Sequence, residues 1–146
     1  MIRYLYPTKI KEVENVINAD GLFHKKDLQI GLNEPDIATF HPNATIVLDF
    51  GREIRGGVRI LTYETQDIKC VRIRIRFGES LSECFAELGE KNATNDHSPR
   101  DIKVDLSAWS DLCFGDTGFR FVRIDSLSDR QFCIKSIVAK SYELNK

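Results

Sequence analysis

The sequence predicts an all-β fold, an antiparallel β-sandwich of the jelly-roll kind with one short helix. Three observations carry this. Several short stretches alternate apolar and polar side chains with a period of two, glycine, asparagine and aspartate punctuate them, and strands do not alternate with helices as in a parallel α/β sheet. The 146 residues, 42% hydrophobic and 29% charged, suit a single domain with a real core.

Residues 1–40 read as an irregular N-terminal arm laid on the domain, and 41–146 as the sandwich itself. In the arm, "KIKEVENVI" has partial helical spacing that "NADG" interrupts, and one strand is expected near "LQIGL". "TIVLDF" (45–50) is rich in strand formers, and "GVRILTYET" (57–65) restarts an extended run after the glycines of "GREIRGG". The two read as an antiparallel pair joined by a loop of about five residues. "KCVRIRIRF" (69–77) is the clearest strand, with Val71, Ile73, Ile75 and Phe77 on one face and Arg72, Arg74 and Arg76 on the other.

In "GESLSECFAELGEK", Ser80 suits a helix N-cap with Glu83 completing its capping box, and Leu81, Cys84, Phe85 and Leu88 share one helical face. "IKVDLSAW" (102–109) alternates again. "GFRFVRIDS" (118–126) has apolar residues on both faces, as a central strand requires, and 132–144 forms a long last strand.

The 21 Lys and Arg balance 22 Asp and Glu, so no basic field recruits nucleic acid or an anionic membrane. No apolar run approaches the roughly 20 residues of a membrane span, and the first 20 residues lack a secretory h-region and cleavage site. With Met1 as the native start, the expected location is cytoplasmic. Cysteines 70, 84, 113 and 133 lack C-x-x-C spacing, so free and mostly buried thiols are expected.

Few residues invite chemistry. Glu79, Glu83 and Glu87 line one helical face rather than opposing each other as a glycoside-hydrolysing pair does, and a solvated acidic face fits them better. Asp96, His97 and Ser98 are sequence neighbours without a nucleophile elbow, which disfavours a triad. The three histidines share no ligand spacing, and a loop calcium on Asn95, Asp96 and Asp101 has no EF-hand pattern behind it. No metal and no cofactor is expected. The polar stretch "GEKNATNDHSPRD" (89–101) is a long connection between helix and strand, and such connections are often functional. The Arg72, Arg74 and Arg76 stripe is either an exposed ion-paired face or a candidate docking face, and Trp109 is a ring on which a sugar could stack.

Taken together, "VLDFGREIRGGVRI", "VRIRIRFGESLSE", "GEKNATNDHSPRD" and "GFRFVRID" resemble the β-sandwich accessory domain that precedes the catalytic barrel of bacterial α-L-rhamnosidases, glycoside hydrolase family 78. The likeness spans about residues 27–142. It implies a galactose-binding or concanavalin-like sandwich, in an enzyme that removes terminal L-rhamnose. The family's acid and base sit in a helical barrel outside this chain, so no catalytic residue carries over. The resemblance implies as partners a catalytic domain of the same parent protein and L-rhamnose-containing glycosides. The residues expected to dock that domain or bind sugar are Asn92, Asn95, Asp96, His97, Arg100 and Asp101. The alternative is a stand-alone, lectin-like module for rhamnosides.

Overall fold

The computed structural model describes residues 1–85 and 100–144. It is an antiparallel β-sandwich in which the described residues form seven strands and one short helix. In chain order these are β1 (Ile2–Leu5), β2 (Lys9–Ile17), β3 (Ala38–Thr65), β4 (Val71–Gly78), α1 (Leu81–Phe85), β5 (Asp101–Leu106), β6 (Ser110–Ser126) and β7 (Phe132–Tyr142).

The organising element is β3, which runs for 28 residues beside β6. Its first half, with β2, β4, β5 and the end of β6, makes one layer. Its second half, with β1, β7 and the start of β6, makes the other. Phe132 of β7 pairs with both Phe40 and Thr65, so the two ends of β3 come together and the β3–β6 ribbon is folded back on itself. Ile46, Leu48, Ile73, Ile75, Val122 and Ile124 from the first layer then meet Val58, Ile60, Ile137 and Ala139 from the second, all fully buried in one core. Alternation of side chains along each strand delivers that face, and burial of the apolar area supplies the main stabilisation.

The hairpin expected at 45–65 is absent, because the glycines serve close packing rather than chain reversal. A Cβ on Gly56 would stand 1.9 Å from the Lys140 carbonyl oxygen, and one on Gly57 would stand 2.4 Å from the carbonyl oxygens of Phe114 and Gly115. Here β3 is hemmed in by β6 and β7 at once, and only hydrogen fits.

The first 40 residues contain more regular structure than expected. Ile2–Leu5 and Lys9–Ile17 are strands where an irregular course was expected, and Ala19–Phe23 is a 3-10 turn. Residues 24–37 carry no helix or strand, including the expected one near 28–32. They lie against β3 and β7 through Lys135, whose side chain is fully buried. Its ammonium donates to Asp27 at 2.8 Å and sits 2.9 Å from Glu34. Burial pushes the Lys135 pKa down, but the hydrogen bonds and charges of these two carboxylates outweigh it and leave the pKa raised.

The arginine stripe of β4 is balanced by aspartates on its neighbours. Arg72 lies 3.5 Å from Asp105, Arg74 makes a two-bond fork with Asp101 at 2.6 and 2.8 Å, and the buried Arg76 donates to Asp125 at 2.6 Å. α1 packs over this face through Cys84, whose thiol burial pushes to about 12, and through Phe85, which lies 4.6 Å beneath the Arg123 guanidinium. Glu83 reaches back to accept from the Glu79 N–H at 3.0 Å, one residue short of the expected capping box. Only Cys84 of the four cysteines is buried, contrary to expectation. Cys70, in the link just before β4, and Cys113, on β6, are exposed, and all four are free.

Two outcomes follow. Gly56→Ala should lower stability to urea by at least about 3 kcal/mol, because the clash is with backbone that cannot swing away. Burial pushes the Asp125 carboxyl up, but hydrogen bonds from Arg76 and Thr45 and the charges of Arg123 and Arg76 hold it below its ordinary value. Its stabilisation is therefore complete above about pH 4 and is lost as pH falls through the depressed folded value. Urea midpoints measured from about pH 5 down to about pH 2 should fall, and Asp125→Asn should flatten that limb.

Candidate binding cleft at the bend of the sandwich

The fold-back of β3 requires a break in its ladder. Asp49 pairs with Phe121 and Ile54 with Phe119, so residues 50–53 stand opposite Arg120 alone. Gly51 takes φ +80° there, and its N–H donates to Asp49 Oδ1 at 2.7 Å. Asp49, 1% exposed, also accepts from Arg120 at 3.0 and 3.1 Å. Burial raises the Asp49 pKa, but the Arg120 and Gly51 hydrogen bonds and the Arg120 charge outweigh it, so the group stays ionised and fastens the bend.

This bulge pushes Arg52, Glu53 and Arg55 toward the end of β7, where they line a cleft of about 500 Å3 with Gly118, Tyr142 and Glu143. Tyr142 is 49% exposed, with the Lys140 ammonium 5.7 Å from its ring centroid. Arg52 is ion-paired to Glu143. The cleft thus presents an aromatic ring amid charged hydrogen-bonding groups of both signs.

Behind it the fold collects three carboxylates around one guanidinium. Arg100 donates to Glu83 at 2.9 Å and to the Thr117 hydroxyl at 3.1 Å, and lies 3.4 Å from Glu79. A Cβ on Gly118 would stand 3.0 Å from Glu79 Oε1 and 3.6 Å from Glu53 Oε1, so the glycine leaves room for both acids. Desolvation raises the Glu53 pKa above its ordinary value, and the hydrogen bond and charge of Glu79 raise it further against the pull of Arg100. Glu53 therefore holds its proton more tightly than a free glutamate does.

Of the residues expected in the polar segment, Arg100 and Asp101 are described and the structure separates them. Arg100 backs the cleft, whereas Asp101 faces Arg74 on the first layer. Asn92, Asn95, Asp96 and His97 lie outside the described residues. Trp109 is at the far end of the sandwich, in the β5–β6 turn at φ +51°, edge-on to Tyr63 at 6.2 Å. Among the described residues no cluster of His, Cys, Asp or Glu is arranged to hold a metal, and no helix is long and apolar enough to cross a membrane. Sequence reasoning missed Arg52, Glu53 and Tyr142. The only trace of Arg52 and Glu53 was the glycine-flanked run 51–57, read as a turn, while Tyr142 fell within the expected last strand.

The fold has counterparts among solved structures. The C-terminal domain of a chitobiase from Bacteroides fragilis matches with a TM-score of 0.56 at 14% identity, covering 98% of this chain and 100% of that one. The CBM32 of AlyQ, solved in complex with 4,5-unsaturated mannuronic acid, matches with a TM-score of 0.55 at 13% identity over 94% of this chain and 97% of that one. The fold is a galactose-binding-like β-sandwich. A rhamnosidase from Klebsiella oxytoca with rhamnose bound also matches, with a TM-score of 0.62 at 14% identity over 97% of this chain. The chain spans 29% of that enzyme's length. No family model and no curated protein matches the sequence. At these identities the likeness establishes the architecture alone, the antiparallel β-sandwich that the sequence predicts.

Glu79→Gln should bring the Glu53 pKa down toward its ordinary value, as followed by carboxyl carbon shifts in NMR titration. An unchanged Glu53 titration would show that burial alone raises it.

Proposed function

We propose that this chain is a non-catalytic carbohydrate-binding domain of an α-L-rhamnosidase-like glycoside hydrolase, and that it holds a sugar in the cleft at the bend. The observation that carries this reading is the cleft itself, about 500 Å3 with the exposed Tyr142 beside Arg52, Glu53 and Glu143. An aromatic face packs on the C–H face of a pyranose, while guanidinium and carboxylate groups take its hydroxyls. The neighbours support it, since one is a carbohydrate-binding module with a bound sugar acid and another is a rhamnosidase. L-Rhamnose-containing glycosides are the proposed ligands, because the sequence motifs and one neighbour point to the same sugar.

A second reading, docking to a catalytic domain of the same protein, is favoured by the share of the Klebsiella oxytoca enzyme that the sandwich accounts for, 29% of its length. The segment 89–101 and the Arg72, Arg74 and Arg76 face are the proposed docking elements. Arg100 links the two readings, since it ties the described end of that segment to the carboxylates behind the cleft.

The test is an NMR titration of the isotopically labelled chain with L-rhamnose, L-fucose and D-galactose. Saturable shifts are expected at Gly118 and Tyr142 for rhamnose above the others, and Tyr142→Ala should weaken binding about tenfold, roughly the worth of one aromatic contact. Silence of both amides with every sugar at tens of millimolar would sink the carbohydrate-binding reading and leave docking.

A further inference from the structure

A second concavity, of about 460 Å3, opens on the amino-terminal side of the bend. Tyr6, Phe23 and Phe50 line it together with Arg3, Lys25 and Arg52, and no carboxylate lines it among the described residues. Its walls are fixed in advance. The Tyr6 hydroxyl donates to the Lys26 carbonyl at 2.9 Å and accepts from the Lys26 N–H at 3.0 Å. Phe50, 3% exposed, packs edge-on against Phe119 at 6.0 Å. The loop between β1 and β2 is tied down where the Thr8 N–H and hydroxyl both donate to the Asp49 carbonyl, at 2.8 and 3.0 Å.

The charges around this cleft do not cancel. Arg3, at 3.9 Å, and Arg52 share one carboxylate, Glu143, which sits in the neighbouring cleft rather than in this one. Lys25 is exposed and has no ion-pair partner among the described residues. Two guanidiniums set against one carboxylate, with an unpaired ammonium beside them, make an anion-selective mouth on an apolar, partly aromatic floor. A simple inorganic anion would use the cations and waste the floor. A neutral sugar would use the floor and leave the cations unsatisfied.

We infer that this cleft binds an anionic saccharide unit, a pyranose that carries a carboxylate or a sulfate. Arg52 lines both clefts, so they are positioned for successive units of one acidic chain, and this continuity rests on the carbohydrate-binding reading above.

The experiment titrates the labelled chain in parallel with D-glucuronate, glucose 6-sulfate, glucose and inorganic sulfate, and repeats the series on Lys25→Glu. Lys25 is exposed, so that variant should fold as the parent does, which its amide spectrum checks directly. Expected are saturable shifts at Tyr6 and Lys25 with one or both acidic sugars, at least about tenfold tighter than with glucose, and a weakening of about tenfold or more in Lys25→Glu. The arm that responds identifies the anion as carboxylate, sulfate or either. Equal binding of glucose, an equal response to inorganic sulfate, or indifference to Lys25→Glu overturns the inference. Neutral sugar reporting at Gly118 while every ligand leaves Lys25 silent removes this site and keeps the proposed function. Shifts at Lys25 here, with no shift at Gly118 or Tyr142 from L-rhamnose, L-fucose or D-galactose, keep this site and remove that reading.

Discussion

Backbone pairing of β3 with β2, β6 and β7 constrains almost everything else in the molecule. A strand of 28 residues that must keep its hydrogen bonds while belonging to two layers has to fold back, and it can do so only where the ladder is interrupted. The interruption falls at residues 50–53, held by ionised Asp49 between the Gly51 N–H and the Arg120 guanidinium. The same four residues then supply Phe50 to one cleft, Glu53 to the other, and Arg52 to both. The feature that closes the sandwich is thus the one that opens its binding surface.

Around this frame, charge is used in two distinct ways. On the outer faces it is paired tightly. Arg76 with Asp125, Arg74 with Asp101 and Lys135 with Glu34 are shielded pairs in which losing one partner strands the other. Depressed carboxylates such as Asp125 favour the fold at neutral pH, whereas the raised Glu53 binds its proton more tightly in the folded chain and so favours the fold in acid, where that proton is held. At the bend, charge is left over. The guanidiniums and carboxylates there are half-exposed, share partners, and retain hydrogen-bonding capacity for a ligand.

Exposed rings mark the two ends of the sandwich differently. Trp109 has the size suited to stacking, but it stands on a turn, edge-on to Tyr63. Tyr142 is smaller, yet it closes a concave wall that already carries the polar groups a sugar needs. The chemistry of recognition depends on what surrounds the ring, and the surroundings are assembled from β3, β6 and β7 together.

The sequence by itself determined the class of the fold and most of its strands. Alternation in residues 71–77 and apolar character on both faces of 118–126 are local properties, and period-two patterning declares which side of a strand faces the core wherever it falls. It also determined that α1 follows β4, because capping and helical spacing are local too. It left illegible the regular pairing of β1 and β2, whose mostly exposed residues carry weak alternation and whose partners lie more than 20 residues away. It misassigned Gly56 and Gly57, since a glycine needed for a turn and one needed for close approach look the same in one dimension. The carboxyl pair of Glu53 and Glu79, and the juxtaposition of Arg52 with Tyr142, were decided only by the tertiary structure. Those groups are 26 and 90 positions apart, and nothing but the folded-back ribbon brings them within reach of each other.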